Sequence, residues 1–222
     1  MNRNNQIAQN IANIKAQIPD HCKLIVVSKY RPAEEIQTAY DAGQREFAEN
    51  RVQPLLERVA ELPNDIQWHL IGHLQTNKVK FIAPFISMIH SVDSVKLLQE
   101  IDKEAKKNNR IIPCLIQIHV AQEETKFGLS LEEIQPFFQE ITQLGLQNTT
   151  VNGLMAMASF TEDQMQIAEE FSQVANAFQE VKSQYYSDEP QFSELSIGMS
   201  SDYGIAIEKG STLIRVGSAV FA

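Results

Sequence analysis

From residue 24 onward, short apolar runs alternate with longer amphipathic stretches, and this alternation restricts the fold more than any other feature of the chain. Residues 24–27 (Leu-Ile-Val-Val) precede an amphipathic stretch at 32–42, and 46–48 precede another at 51–62. A compact apolar run suits a buried strand, whereas apolar residues three and four apart suit one face of a helix. Six more runs follow at 66–70, 88–90, 111–119, 151–155, 194–197 and 213–216, with helical spacing at 95–107, 131–144 and 163–185. Strand-then-helix order with short links makes the strands parallel, because each crossover helix returns the chain to the same end of the sheet. Eight such units predict a closed (β/α)8 barrel of the TIM type, and 222 residues fit the ~200–250 of a single barrel. An open doubly wound sheet is the alternative, but its dinucleotide-binding version needs a Gly-x-Gly-x-x-Gly turn after the first strand, which this sequence lacks. Ahead of the barrel, Ile7, Ile11, Ile14 and Ile18 predict an extra N-terminal helix within residues 1–20, stopped at Pro19-Asp20. No Pro/Gly/Ser-rich linker interrupts the rest, so 23–222 read as the barrel and 1–222 as one domain.

Composition then narrows the partners. Hydrophobic residues at 43% and charged residues at 21% suffice for a core and argue against disorder. A formal net charge of −9 opposes nucleic acid or an anionic membrane surface as a partner. No stretch approaches the ~18 apolar residues of a membrane span, and Met1 to Gln6 lack the apolar core of a signal peptide, so a cytoplasmic protein is expected. Cys22 and Cys114 match no metal or redox spacing and read as buried free thiols. His69 and His73 stand four apart, but His69 closes a strand, Gly72 intervenes and the Glu of a zinc motif is missing; structural histidines near the barrel top, and no metal, are expected. Met155, Met157 and Met165 read as core packing, with Met155 nearer the mouth. The charged stretch 103–110 reads as a solvated helix end, and charged outer helix faces favour a monomer.

A barrel keeps its working residues at the C-terminal strand ends. The first strand runs into Ser28-Lys29-Tyr30-Arg31-Pro32, where apolar walls would partly desolvate the lysine and, helped by the like charge of Arg31, favour the neutral, nucleophilic amine; a surface loop lysine is the plainer alternative. The seventh strand runs into Gly198-Met199-Ser200-Ser201-Asp202, and the eighth ends in Arg215-Val216-Gly217-Ser218. Small residues with free amides and hydroxyls at those two ends suit a phosphate, though either loop alone could be a tight turn. Arg215 in strand eight would sit near the mouth and needs a partner. That partner is either a carboxylate or the nitrogen of a pyridine-type ring, which must stay unprotonated because arginine accepts no hydrogen bond.

Six strings carry a wider resemblance: Val27-Ser28-Lys29 with Pro32, Phe47-Ala48-Glu49-Asn50-Arg51-Val52-Gln53, Trp68-His69-Leu70-Ile71-Gly72-His73-Leu74-Gln75-Thr76-Asn77-Lys78, Gly153-Leu154-Met155, Leu195 through Asp202, and Arg215-Val216-Gly217-Ser218. In order and position they resemble the pyridoxal phosphate homeostasis protein family over nearly the whole chain. The resemblance implies a fold like the barrel domain of alanine racemase and pyridoxal 5′-phosphate in Schiff-base linkage to Lys29. It also implies Asn50 beside the cofactor ring, Met199, Ser200 and Ser201 flanking ring and phosphate, Arg215 facing the pyridine nitrogen, and Gly217 with Ser218 on the phosphate. Lys126, within Glu124-Thr125-Lys126-Phe127-Gly128, stands where the family has a lysine linked to cofactor exchange. Two departures stand out: the sequence ends in Phe221-Ala222 where the family has Phe-Gly and a basic tail, and Tyr30 replaces a smaller residue. The implied role is a carrier that limits free pyridoxal phosphate and hands it to apo-enzymes that depend on it. A racemase-like enzyme of weak activity is the alternative. A barrel lyase or isomerase forming an imine between Lys29 and a sugar phosphate ranks third.

Overall fold

The computed structural model describes residues 3–121 and 127–222. Helix α1 (Arg3–Gln17) buries Ile7, Ile11 and Ile14 on one face, as their spacing predicts. The alternating units then follow in order: β1 (Lys23–Val27), α2 (Ala33–Asp41), β2 (Glu46–Glu49), α3 (Val52–Glu61), β3 (Gln67–Leu70), the short α4 (Val79–Ile82), β4 (Met88–Val92) and α5 (Val95–Lys107). The second half adds β5 (Ile112–His119), α6 (Ile134–Gln143), β6 (Thr149–Met157), α7 (Gln164–Tyr185), β7 (Glu194–Ser196), α8 (Tyr203–Glu208) and β8 (Leu213–Val216). All strand pairs are parallel and the order β1 to β8 closes on itself, with Ile25 opposite Arg215 where β1 meets β8. The (β/α)8 barrel with an extra N-terminal helix is therefore the fold.

Helix starts follow local chemistry. Ser94 accepts from Leu97 N ahead of α5, and the Asp163 carboxylate accepts from the amides of Met165 and Gln166 ahead of α7. The predicted helix at 131–144 opens instead as a 3-10 turn, Leu131–Glu133, closed by a reciprocal Ser130–Glu133 capping box.

Period-two alternation divides the strands between two cores. Inside the ring, Ile25, Val27, Ala48, Leu115, Met155 and Leu213 form a compact plug. Outside it, the opposite faces of the same strands pack on the helices in a much larger cluster that includes Val26, Phe47, Leu70, Ile116 and Leu154. Cys22 and Cys114 are buried and free, and burial pushes the Cys22 thiol up to about 11.

Several expectations change at this level. Met155 lies within the plug rather than at the mouth, whereas Met157, at the end of β6, and Met165, in the first turn of α7, are exposed instead of packed in the core. Met157 has run past the last inner layer, and Met165 lies outside the face of α7 on which Ile167, Phe171 and Val174 are buried. The solvated end at 103–110 is only partly so: Arg110 donates to the carbonyls of Ala83 and Ile86 at 2.7 Å and ties the start of β5 to the turn before β4.

Candidate functional site

Because β7, β8, β1 and β2 are consecutive neighbours in the closed ring, their C-terminal ends lie side by side. Ser28 extends the ladder by donating its amide to Ala48 O at 3.0 Å, and its buried hydroxyl donates to Glu49 Oε1 at 2.7 Å. The chain then reverses through Tyr30, whose φ of 65° is left-handed, and Arg31 N closes the turn on Ser28 O at 3.0 Å. Lys29 stands at the apex of that turn. With Val27, Tyr30, Arg31, Gly217 and Ser218 it lines a cavity of about 320 Å3.

Two expectations about Lys29 need correction. Its side chain is exposed rather than desolvated by apolar walls, because the turn lifts it clear of the Ile25–Val27 layer. Arg31 does not assist it either: the guanidinium lies 3.7 Å from Glu35 and over the Phe221 ring at 5.1 Å, turned toward α2. Tyr30 is 78% exposed.

Opposite Lys29, the loops after β7 and β8 are stitched together by Ser200 Oγ, which accepts from Gly217 N at 3.2 Å and Ala219 N at 3.4 Å. The buried Asp202 carboxylate takes the Met199 amide at 2.5 Å and the Ser201 hydroxyl at 3.4 Å. Among the described residues the amides of Ser200, Ser201 and Ser218 have no acceptor, and Ser201 and Ser218 are exposed. Such a cluster of free donors suits an anion. Gly217 passes so close to β1 that an added Cβ would meet Val27 O at 3.0 Å.

Asn50, half-buried after β2, makes no side-chain hydrogen bond among the described residues. Its backbone is packed against Gly72. Met199 lines an adjoining cavity of about 230 Å3 with Gln117, His119, Phe127, Met157 and Phe160. Lys126 lies outside the described residues. A larger cavity of about 470 Å3, bordered by Leu98, Ile141, Tyr185 and Tyr186, opens at the opposite end of the ring, away from these groups.

Arg215 is 3% exposed and sits deeper than the rim position expected, level with Ile25 on the inner face. Among the described residues no carboxylate pairs with it. Nη1 donates to Ser196 O at 2.6 Å and Ser196 Oγ at 2.7 Å, and Nη2 donates to Ala156 O at 2.9 Å. Three of its five N–H groups are thereby used, leaving Nε–H and one Nη2 hydrogen without a partner among the described residues. Burial lowers its pKa to about 10, so it remains a cation at neutral pH.

The family profile described as alanine racemase, N-terminal domain, matches residues 3–222. A pyridoxal phosphate homeostasis protein of Aquifex aeolicus (strain VF5) is 38% identical over 200 residues, covering 90% of this chain and 86% of that one. The chain belongs to the pyridoxal phosphate homeostasis protein family. PipY of Synechococcus elongatus PCC7942, solved with PLP bound, superposes with a TM-score of 0.86 at 36% identity over 97% of this chain and all of that one. Alanine racemase of Clostridium difficile 630 shares the fold, with a TM-score of 0.75 at 15% identity, and this chain spans 56% of it.

Within this homeostasis-protein barrel, several polar residues escaped the sequence reading. Glu49 is buried at the end of β2, and burial raises its carboxyl above the usual range, opposed by its bond to Ser28 and by the charges of Arg58 and Lys29. His69, expected near the top beside His73, is instead buried inside the ring, where Nδ1 lies 2.8 Å from His90 Nε2. His90 Nδ1 in turn lies 3.1 Å from Ser196 Oγ. His73 stays near the surface, paired with Asp93 at 3.2 Å and stacked on Phe127. The signal that could have found His69, His90, Ser196 and Arg215 together is strand parity, since each falls on the inward-facing phase of its strand. Among the described residues no group of three ionisable or thiol side chains could hold a metal, and no helix is long and apolar enough to cross a membrane.

Proposed function

We propose that this chain binds pyridoxal 5′-phosphate covalently at Lys29 and acts as a carrier and buffer of the cofactor rather than as a dedicated catalyst. The observation that carries this reading is the single cavity that Lys29 shares with Gly217 and Ser218, which puts an amine and a phosphate-type cradle within one ligand's span. When bound, the cofactor supplies an aldehyde that condenses reversibly with amines. The residues fit it. Lys29 offers the amine, and the free amides of Ser200, Ser201 and Ser218 offer donors for the phosphate, with Gly217 giving close backbone approach. The two spare N–H groups of Arg215 suit an unprotonated ring nitrogen, and Asn50 and Met199 are the residues proposed to flank the ring. The PLP-bound relative PipY supports the same ligand.

The exposure of Lys29 suits a carrier: an amine that solvent can reach can also be reached by a competing amine of an apo-enzyme, which is the partner proposed here. A cytoplasmic monomer is the form in which it would work. Visible absorbance before and after borohydride, followed by peptide mass analysis, tests the reading. A phosphopyridoxyl group on Lys29, lost in Lys29→Ala with the fold retained, is expected. An adduct on another lysine overturns the assignment, and a colourless protein that cannot be reconstituted overturns the cofactor itself.

A further inference from the structure

We infer that His90 is a positioning residue for Arg215, acting through a buried hydrogen-bond relay, His69–His90–Ser196–Arg215, in which every proton points away from the guanidinium. The relay links four strands, β3, β4, β7 and β8, across the inside of the ring. Its links measure 2.8 Å between His69 Nδ1 and His90 Nε2, 3.1 Å between His90 Nδ1 and Ser196 Oγ, and 2.7 Å between Ser196 Oγ and Arg215 Nη1. His90 and Ser196 are 0% exposed, and His69 and Arg215 are nearly so.

Direction follows from the donor inventory. Arginine only donates, so Ser196 Oγ accepts from Nη1, and the acceptor that remains for the serine's own hydrogen is His90 Nδ1. His90 then carries its proton on Nε2 and gives it to His69 Nδ1, which leaves the His69 proton on Nε2. In the reverse arrangement His90 Nδ1–H would donate to Ser196 Oγ, and the buried serine hydrogen would have no acceptor. Both imidazoles are held neutral, chiefly by burial: His69 is lowered to about 4, with Lys23 adding to the effect, and His90 lies well below its usual value, with His69 and Arg215 adding to it.

The consequence is a line of aligned dipoles whose negative end meets the guanidinium. Among the described residues Arg215 is steadied without a carboxylate, so no ion pair there cancels its charge, and its direct bonds come from Ala156 on β6 and Ser196 on β7, the serine being held in turn by His90 on β4. Its importance for the cofactor rests on the reading above; the relay itself does not, and the two can be tested apart.

Long-range 1H–15N spectra of the full chain report imidazole tautomers directly, with or without cofactor. Both His69 and His90 are expected as Nε2–H tautomers at neutral pH, and an Nδ1–H tautomer at His90 overturns the relay whatever the colour of the protein. In His90→Leu, water exchange of the Arg215 Nε–H should rise about tenfold, as for one lost hydrogen bond, while His90→Gln, which offers an acceptor and a donor in the same order, should stay within about twofold. Equal acceleration in both variants, or none in His90→Leu, refutes the positioning role. Should His90→Leu fail to fold, Ser196→Ala gives the same readout by removing the middle link. A colourless wild type that nonetheless shows the expected tautomers would sink the cofactor reading and leave the relay standing.

Discussion

Gly72→Ala tests whether the packing that holds Asn50 is as rigid as its geometry implies. An alanine Cβ at position 72 would lie 2.1 Å from Asn50 O, 2.9 Å from its carbonyl carbon and 3.0 Å from its Cα. Ordinary contact begins near 3.4 Å, so about 1.3 Å of movement is required. Neither side yields easily, since Ile71 N is bonded to Glu49 O at 3.0 Å and Gly72 O accepts the Ser91 hydroxyl at 2.6 Å. Overpacking of this kind costs about 1–3 kcal/mol, which in a chain of this size lowers the melting temperature by roughly 2–12 °C. Displacing Asn50 from the proposed ring site should also weaken pyridoxal phosphate binding by about tenfold, the equivalent of ~1.4 kcal/mol. Thermal melts with and without cofactor, and a titration followed in the visible, measure both effects. The matched control is Gly204→Ala in α8, where nothing lies within 4 Å of the added carbon and helix propensity should add about 0.5–1 kcal/mol. A Gly72→Ala protein that melts with the wild type and binds cofactor equally would refute the rigidity argument.

Ser218→Glu brings a carboxylate toward the proposed phosphate, and like charges ~4 Å apart near a protein surface cost about 1–4 kcal/mol, so titration should show weaker binding; unchanged affinity would relocate the phosphate. Arg110→Ala removes two charge-assisted bonds to the carbonyls of Ala83 and Ile86 and should cost about 2 kcal/mol or more in urea unfolding, with no change in cofactor binding. For His69, the folded pKa of about 4 lies below the unfolded value of 6.5, so the unfolded chain binds the extra proton and stability falls with acidification. Between pH 7 and pH 4.5 this single group should remove roughly 2–3 kcal/mol, and urea midpoints of His69→Gln should fall less steeply over that range than those of the wild type.

The fold was legible because parallel strands buried on both faces write themselves as continuous apolar runs: 213–216 and the helix at 95–107 coincide with the observed β8 and α5. Short elements were not legible. Helices α4 and α8 span too few residues for a helical period to emerge, and the end of β4, Ser91-Val92, carries a polar residue because Ser91 bonds back to Gly72 O. Within the candidate site, the sequence could place Lys29, Asn50, Gly217 and Ser218 at strand ends, since strand order alone brings those ends together. It could not show that Lys29 is lifted into solvent, because that depends on one left-handed residue, Tyr30, nor that Arg31 is drawn away by Glu35. Nor could it show the depth of Arg215 or the pairing of His69 with His90, which require knowing which phase of each strand faces inward.

The ring closes where β1 pairs with β8, and the candidate site straddles that seam: Lys29 lies on one side of it, Gly217 and Ser218 on the other. During synthesis these halves emerge at opposite times, and no partial barrel contains both. Helix α1 adds a clasp, as Arg3 and Asn10 donate to the carbonyls of Phe221 and Val220. A ligand held across the seam therefore stabilises the closed ring over every opened form in proportion to its free concentration. Cofactor occupancy would then double as a reporter of ring closure, and a chain short of cofactor would be most prone to part along the line where its first and last strands meet.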